Sequence, residues 1–162
     1  MKKAIVLGSM DVARLVGIQP TLLNKFIERK QYGIEASVRP GKGRGKERLF
    51  GEEDVFGIAL VYWLFESGLR SDSIQFVLNQ ICDRRLNSRA NDAASRLLDR
   101  KAEVLAITRQ PRISYAKHPE QTTQPCDMAQ AVQLVRGAST GSVLVIPVGS
   151  LFASLRKATG GN

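Results

Sequence analysis

The sequence predicts an α+β protein: a basic, mostly helical N-terminal half, a linking helix and a small C-terminal α/β unit. Three observations carry that expectation. Apolar residues recur at helical spacing from Met10 to Ile27, broken by a turn at Gly17, and again from Val55 to Ile81. A run of glycines and cations over Pro40–Lys46 lies between short segments that read as strands. Beyond Lys101, short apolar runs are interleaved with helical stretches. At 162 residues, 43% of them apolar, the chain can form one domain or two small ones. The expected divisions are 1–82, 83–102 and 103–162.

The first helix is expected over Met10–Val16, capped by Ser9 or Gly8, with Asp11 in the dipole-favoured first turn and Gly17 as its stop. Pro20 suits the first position of a second helix, because its missing N–H had no helical partner. Leu22, Leu23, Phe26 and Ile27 form its buried side and leave Gln19, Thr21, Asn24, Lys25, Glu28 and Arg29 outside. Two short helices across a tight turn are the pattern of a helix-turn-helix. Ile34, Ala36 and Val38 alternate as a strand, Pro40–Lys46 forms a basic tip, and Arg48, Leu49 and Phe50 return, which together read as a hairpin wing.

Gly51 to Gly68 is the strongest helix, acidic in its first turn at Glu52, Glu53 and Asp54 and then apolar on all sides to Phe65, so it must be buried on more than one side. Ser71 is expected to cap a fourth helix with Ile74, Val77, Leu78 and Ile81 inside. A fifth helix over Asp83–Lys101 would use Leu86, Ala90, Ala93, Leu97 and Leu98 as its seam. Strands are expected at Glu103–Thr108 and Ile113–Ala116, a loop at His118–Pro125, a helix over Met128–Val135 capped by Asp127, a buried strand at Ser142–Val148 and a last helix at Ser150–Lys157, with Thr159–Asn162 frayed.

Charge and motifs narrow the function. The formal net charge of +9 points to a polyanionic partner. Seven basic residues between Arg29 and Arg48 face only Glu35 and Glu47; six between Arg84 and Lys101 face only Asp92 and Asp99. The second cluster reads either as a solvated helix face or as a dimerisation helix flanking nucleic acid. Two cysteines cannot make a disulfide framework or a structural zinc site, so no metal or other cofactor is expected, and a reducing cytoplasmic setting is the default. Cys82 reads as a small buried hydrophobe and Cys126 as an exposed thiol. No segment reads as a membrane span, since the charge-free stretch Gly137–Leu155 is interrupted by Pro147 and Gly149. The run after Lys2 and Lys3 is too short for a signal-peptide core.

Gly137-Ala138-Ser139-Thr140-Gly141 matches the outline of a nucleophile elbow, but its strand and helix stand in the wrong order. His118 has no partner nearby in sequence to make it a general base. Gly41–Lys46 lacks the four-residue glycine gap of a nucleotide-phosphate loop, and Glu47 stands where Ser or Thr would hold magnesium. The sequence therefore predicts a protein that is not an enzyme.

Asp11-Val12-Ala13-Arg14-Leu15-Val16-Gly17-Ile18 resembles the opening motif of MerR-type winged helix-turn-helix regulators. Arg48-Leu49-Phe50-Gly51-Glu52-Glu53-Asp54-Val55 resembles that family's Arg-x-Tyr-Ser-x-x-Asp-Val wing closure, and Gly68-Leu69-Arg70-Ser71-Asp72-Ser73-Ile74 its Gly-Phe-Ser-x-x-x-Ile approach to a fourth helix. The three blocks keep the family's spacing over residues 7–81, about half the chain. The family's second helix reads Thr-Leu-Arg-Tyr-Tyr-Glu, whereas Leu22-Leu23-Asn24-Lys25-Phe26-Ile27 stands here; Asn24 replaces an Arg and Lys25 an aromatic residue. The fifth helix is shorter than the family's dimerisation helix, and no cysteine pair matches its metal-sensing loop.

The expected function is sequence-specific binding of double-stranded DNA in transcription regulation, by a cytoplasmic, nucleoid-associated homodimer. The second helix would enter the major groove, and the wing would follow the backbone or minor groove. The expected contacts are Gln19, Thr21, Asn24, Lys25, Arg29, Lys30, Arg39, Lys42, Arg44, Lys46 and Arg48. The C-terminal unit would dimerise or take a small-molecule or protein effector. The alternative is a non-enzymatic architectural or docking module, like the excisionase-like relatives of this fold.

Overall fold

The computed structural model describes residues 5–39, 47–83, 85–109, 121–137 and 142–159. Helices and two small antiparallel sheets make up the described chain, an α+β arrangement. A short strand β1 (Val6–Gly8) leads into helix α1 (Ser9–Val16). Gly17 ends α1 in the left-handed region at φ 80°, a conformation that favours glycine, and its N–H donates to the Ala13 carbonyl. Helix α2 (Pro20–Glu28) begins with proline at its first turn, and the Gln19 carbonyl accepts from the N–H groups of Leu22 and Leu23. Val12, Ala13, Ile18, Leu23 and Phe26 are buried, so the turn residue Ile18 itself anchors the two helices.

The chain leaves α2 through left-handed Lys30 and Tyr32. Tyr32 is buried edge-on to Phe26 at 5.7 Å, and its hydroxyl lies 2.9 Å from Ser71 Oγ. The strand expected over Ile34–Val38 does not form. Ile34 and Ala36 are buried as the alternation requires, but the Ser37 N–H donates to the Asp54 carboxylate. Among the described residues, pairing between the two arms is one bridge, Arg39 with Leu49, made by two backbone hydrogen bonds of 3.1 and 3.0 Å. The returning strand β2 (Leu49–Gly51) pairs instead with β1, Leu7 opposite Phe50. The expected tip, Pro40–Lys46, lies outside the described residues.

Helix α3 (Glu52–Glu66) is buried continuously from Asp54 to Val61. Helix α4 (Ser71–Ile81) buries Ile74, Val77, Leu78 and Ile81 as expected. Arg70, not Ser71, holds the cap position; Ser71 is already the first residue of the helix, and its hydroxyl meets that of Tyr32. Cys82 is buried at the end of α4, and desolvation pushes its thiol pKa up.

Helix α5 spans Ala90–Asp99 and does not start at Asp83. Asp83 and Asn87 adopt left-handed conformations that interrupt a helix, and Leu86 is 85% exposed rather than part of a seam. The Asn79 side-chain oxygen accepts from the Ser88 N–H, and Gln75 donates to the Ser88 carbonyl, which fixes the turn before α5. Ala90, Ala93, Ala94 and Leu97 are buried, and α5 packs on α3. The helix expected to link or dimerise is therefore part of the core of its own chain.

The Asp83 carboxylate pairs with Arg96 and with Arg100, the latter at 3.0 Å, tying the α4–α5 connection to the outer side of α5. Hydrogen bonds from Arg96 and then Arg100 hold its carboxyl below the ordinary 3.8. A depressed carboxylate contributes stability above its unfolded pKa and loses it as pH falls through the folded value. Asp83→Asn is accordingly expected to reduce the acid-side loss of stability below about pH 4, measured by denaturant unfolding at stepped pH. An unchanged slope in that range would show that the pair contributes nothing.

Strands β3 (Val104–Arg109), β4 (Gln121–Cys126) and β5 (Ser142–Ile146) form an antiparallel sheet in the order β4-β3-β5. Its two faces follow the period-two rule. Leu105, Ile107, Leu144 and Ile146 join the helical core, while Val104, Ala106, Cys126 and Val145 pack with Ala131 and Leu134 of helix α6 (Met128–Gly137). Helix α7 (Val148–Ala158) returns across α3. Phe152 lies 5.1 Å from Phe56 and 5.4 Å from Trp63, ring to ring, and Arg156 sits over the Phe56 ring and reaches Glu52 at 3.2 Å. The neighbour that the all-apolar α3 demands is therefore its own chain, through α5 and α7.

Several expectations for this half change. Gln121–Pro125 is strand, not loop; β4 is an edge strand, where the missing N–H of Pro125 is tolerated. Cys126 is buried beneath α6, and desolvation raises its thiol pKa, so it is not an exposed thiol. The strand at Ser142 ends at Ile146, because Pro147 takes the cap position and Val148 already belongs to α7. Asp127 caps α6 as expected: its Oδ1 accepts from the Gln130 N–H at 2.7 Å. Ile113–Ala116, His118, Ser139 and the last three residues lie outside the described residues.

Candidate nucleic-acid interface

The outer side of α2 follows from helical geometry. Thr21, Asn24, Lys25 and Glu28 are spaced so that they share one face, opposite the buried Leu23 and Phe26. Thr21, Lys25 and Glu28 are exposed and Asn24 is half-buried. Gln19 stands exposed at the N-terminal end of this face, and Arg29 and Lys30 at the other end.

The hairpin base brings cations to the same place. Arg39 is exposed at its bridge to Leu49, and Arg48 stands next to that bridge. Arg48 Nη1 donates to Asn24 Oδ1 at 2.9 Å. This hydrogen bond joins the returning arm of the hairpin to the middle of α2. A guanidinium has five N–H donors and an amide two, so the pair keeps free donors beside exposed Lys25. Asn24 Oδ1 is already an acceptor for Arg48, which leaves one lone pair for an outside donor.

The hairpin base is held by Asp54. Its Oδ2 accepts from the Ser37 N–H at 3.0 Å, from Ser37 Oγ at 2.5 Å and from the Gly51 N–H at 2.9 Å. The residue is only 4% exposed. One carboxylate thus fastens both arms of the hairpin to the first turn of α3. In the sequence Asp54 reads as a helix-dipole acid and as the Asp of the wing-closure motif, without a hydrogen-bonding role. The signal that could have found it is an acid at the third helical position after a Gly51 cap, one half of a capping box.

Of the predicted contacts, the structure brings Asn24 and Arg48 together. Gln19, Thr21, Lys25, Arg29 and Lys30 line α2 and its ends, and Arg39 marks the hairpin base. Lys42, Arg44 and Lys46 lie outside the described residues. The second basic cluster is partly neutralised, since Arg96 and Arg100 share Asp83; Arg85, Arg89 and Lys101 are exposed. In the C-terminal half, a groove of about 250 Å³ runs between α5 and α7 over Leu97 and Phe152, with Lys101 and Arg156 at its rim.

Among the described residues, no group of three or more His, Cys, Asp and Glu side chains is placed to hold a metal ion, and no helix is long and apolar enough to cross a membrane. The chain matches no protein-family model and no curated protein.

Proposed function

We propose that this chain is a sequence-specific, double-stranded DNA-binding transcription regulator of the winged helix-turn-helix type, similar to MerR-type proteins, and that it acts as a homodimer. The observation that carries the reading is the Arg48–Asn24 hydrogen bond, which sets the basic hairpin beside the exposed polar face of α2. In this reading α2 enters the major groove with Asn24, Lys25 and Thr21 toward base edges. Arg39 and the hairpin cations lie on flanking phosphates, positioning the protein without selecting sequence. The formal charge of +9 supplies a salt-dependent attraction to the duplex.

The test is to incubate the chain with sheared genomic duplex and sequence what it retains. An enriched inverted repeat supports a dimeric regulator. Retention without a motif supports the architectural alternative, and no retention even at low salt removes both DNA readings and leaves the docking module, with partners sought for the C-terminal half. On a retained site, Arg48→Ala is expected to weaken binding by roughly 5- to 30-fold and to lower the salt slope by about one. Asn24→Ala added to it is expected to cost less than the two single changes summed, because both remove one hydrogen bond. If Arg44→Ala with Arg48→Ala leaves affinity and salt slope unchanged, the wing assignment is wrong.

A further inference from the structure

We infer that two copies of this chain associate through the free edge of β5 and the outer face of α6. The sheet has two edge strands, and they are treated differently. β4 is covered by α4 and contains Pro125, which cannot donate to a further strand. β5 pairs only with β3 among the described residues, and its sequence, Ser142-Val143-Leu144-Val145-Ile146, has none of the prolines, glycines or charges that protect an edge.

Helix α6 packs on β3 and β5, and so lies toward that unprotected edge. Its inner side carries Ala131 and Leu134, yet Met128, Val132 and Val135 are 50%, 42% and 50% exposed. Their spacing puts all three on one outer stripe. The α6 that packs on β5 thus carries an exposed apolar stripe of its own, and the proposed contact uses both.

Charge selects the occupant. The formal net charge of +9 opposes self-association over most of the surface. Between Met128 and Leu155 the only charged residue is Arg136. With Glu103 against the first turn of α6 and Arg136 in its last turn, this surface carries no excess of either sign, so it selects neither an acidic nor a basic partner, and a second copy meets it with little like-charge repulsion. Antiparallel pairing of β5 with its counterpart satisfies the edge in both copies at once, continues one sheet across the dimer and sets the two α6 helices side by side, as a two-fold contact requires. A five-residue strand about 17 Å long beside a helix about 15 Å long is of the scale that an interface of about 800 Å² per partner needs. The apolar side of α5 is already consumed by α3, so it cannot serve.

This deepens the homodimer of the reading above but does not depend on DNA. The experiment is sedimentation equilibrium of the full chain over roughly 1–100 μM. Wild type is expected to be dimeric. Val132→Glu with Val135→Glu is expected to weaken association at least tenfold with unchanged circular dichroism, while Leu86→Glu, at an exposed position elsewhere, leaves it intact. A monomeric wild type, or a double variant that still dimerises like wild type, overturns the inference.

If the double variant does not fold, Met128→Lys in the first turn of α6 takes its place, with hydrogen exchange on wild type. β5 amides should gain protection with concentration, and equal protection at all concentrations overturns the inference. A dimer that ignores duplex DNA removes the regulator and leaves this interface. A monomer that binds duplex removes the interface and leaves the DNA reading.

Discussion

Gly57→Ala is expected to destabilise the chain by about 2–3 kcal/mol, although the same change in an isolated helix gains about 1 kcal/mol. A Cβ at Gly57 would stand 2.6 Å from the Asn91 nitrogen and 2.9 Å from the Ala90 carbonyl carbon. Both neighbours are backbone, so no rotamer change relieves the contact, and α5 must move off α3. The buried layer of Ala90, Ala93, Ala94 and Leu97 moves with it. For a chain of this size the change corresponds to a fall in Tm of roughly 4–12 °C, read by circular dichroism. A rise in Tm would mean that propensity governs this position and that α5 is not seated there.

Asp54→Ala is expected to lose about 2–3 kcal/mol, because it removes the acceptor shared by the Ser37 and Gly51 N–H groups and the Ser37 hydroxyl, of which only the exposed Ser37 can turn freely to water. Asp54→Asn should lose only about 1 kcal/mol. All three bonds go to one oxygen, which an amide carbonyl can replace with a weaker, uncharged acceptor. Urea unfolding of both variants tests the pair. Equal losses would show that the negative charge is required and that a neutral carbonyl acceptor cannot replace it. If the hairpin contacts duplex DNA, the residual folded fraction of Asp54→Ala should also bind it more weakly, since Arg39 and Arg48 hang from the arms that Asp54 holds.

Helix-forming segments with one apolar face were legible, because their pattern is local. The proline at position 20 marks the start of α2, and the spacing of Leu22, Leu23, Phe26 and Ile27 marks its apolar side. The all-round apolarity of α3 announced a buried helix. The strands were less legible. Ile34–Val38 alternates like a strand, but its backbone donor is claimed by Asp54, seventeen positions away in sequence. Gln121–Pro125 reads as a loop by composition, yet it pairs with β3 because an edge position tolerates its proline. Asp83–Asn87 looks helical until two left-handed residues interrupt it.

The candidate interface divides in the same way. That α2 would present Thr21, Asn24 and Lys25 follows from helical period and from the hydrophobicity of the opposite side. That Asn24 would hold Arg48, and that Asp54 would hold the hairpin, depends on side chains brought together from distant positions, which no local pattern encodes.

By itself the sequence determined where most of the helices lie, which of their faces are apolar and that the chain is strongly basic, because periodicity and charge act over a few residues. Only the tertiary structure decided that α5 is core and not linker, that β2 pairs with β1, and that the C-terminal helix closes over α3. Those outcomes depend on which apolar faces find each other and which buried polar groups find partners, a competition settled across the whole chain at once.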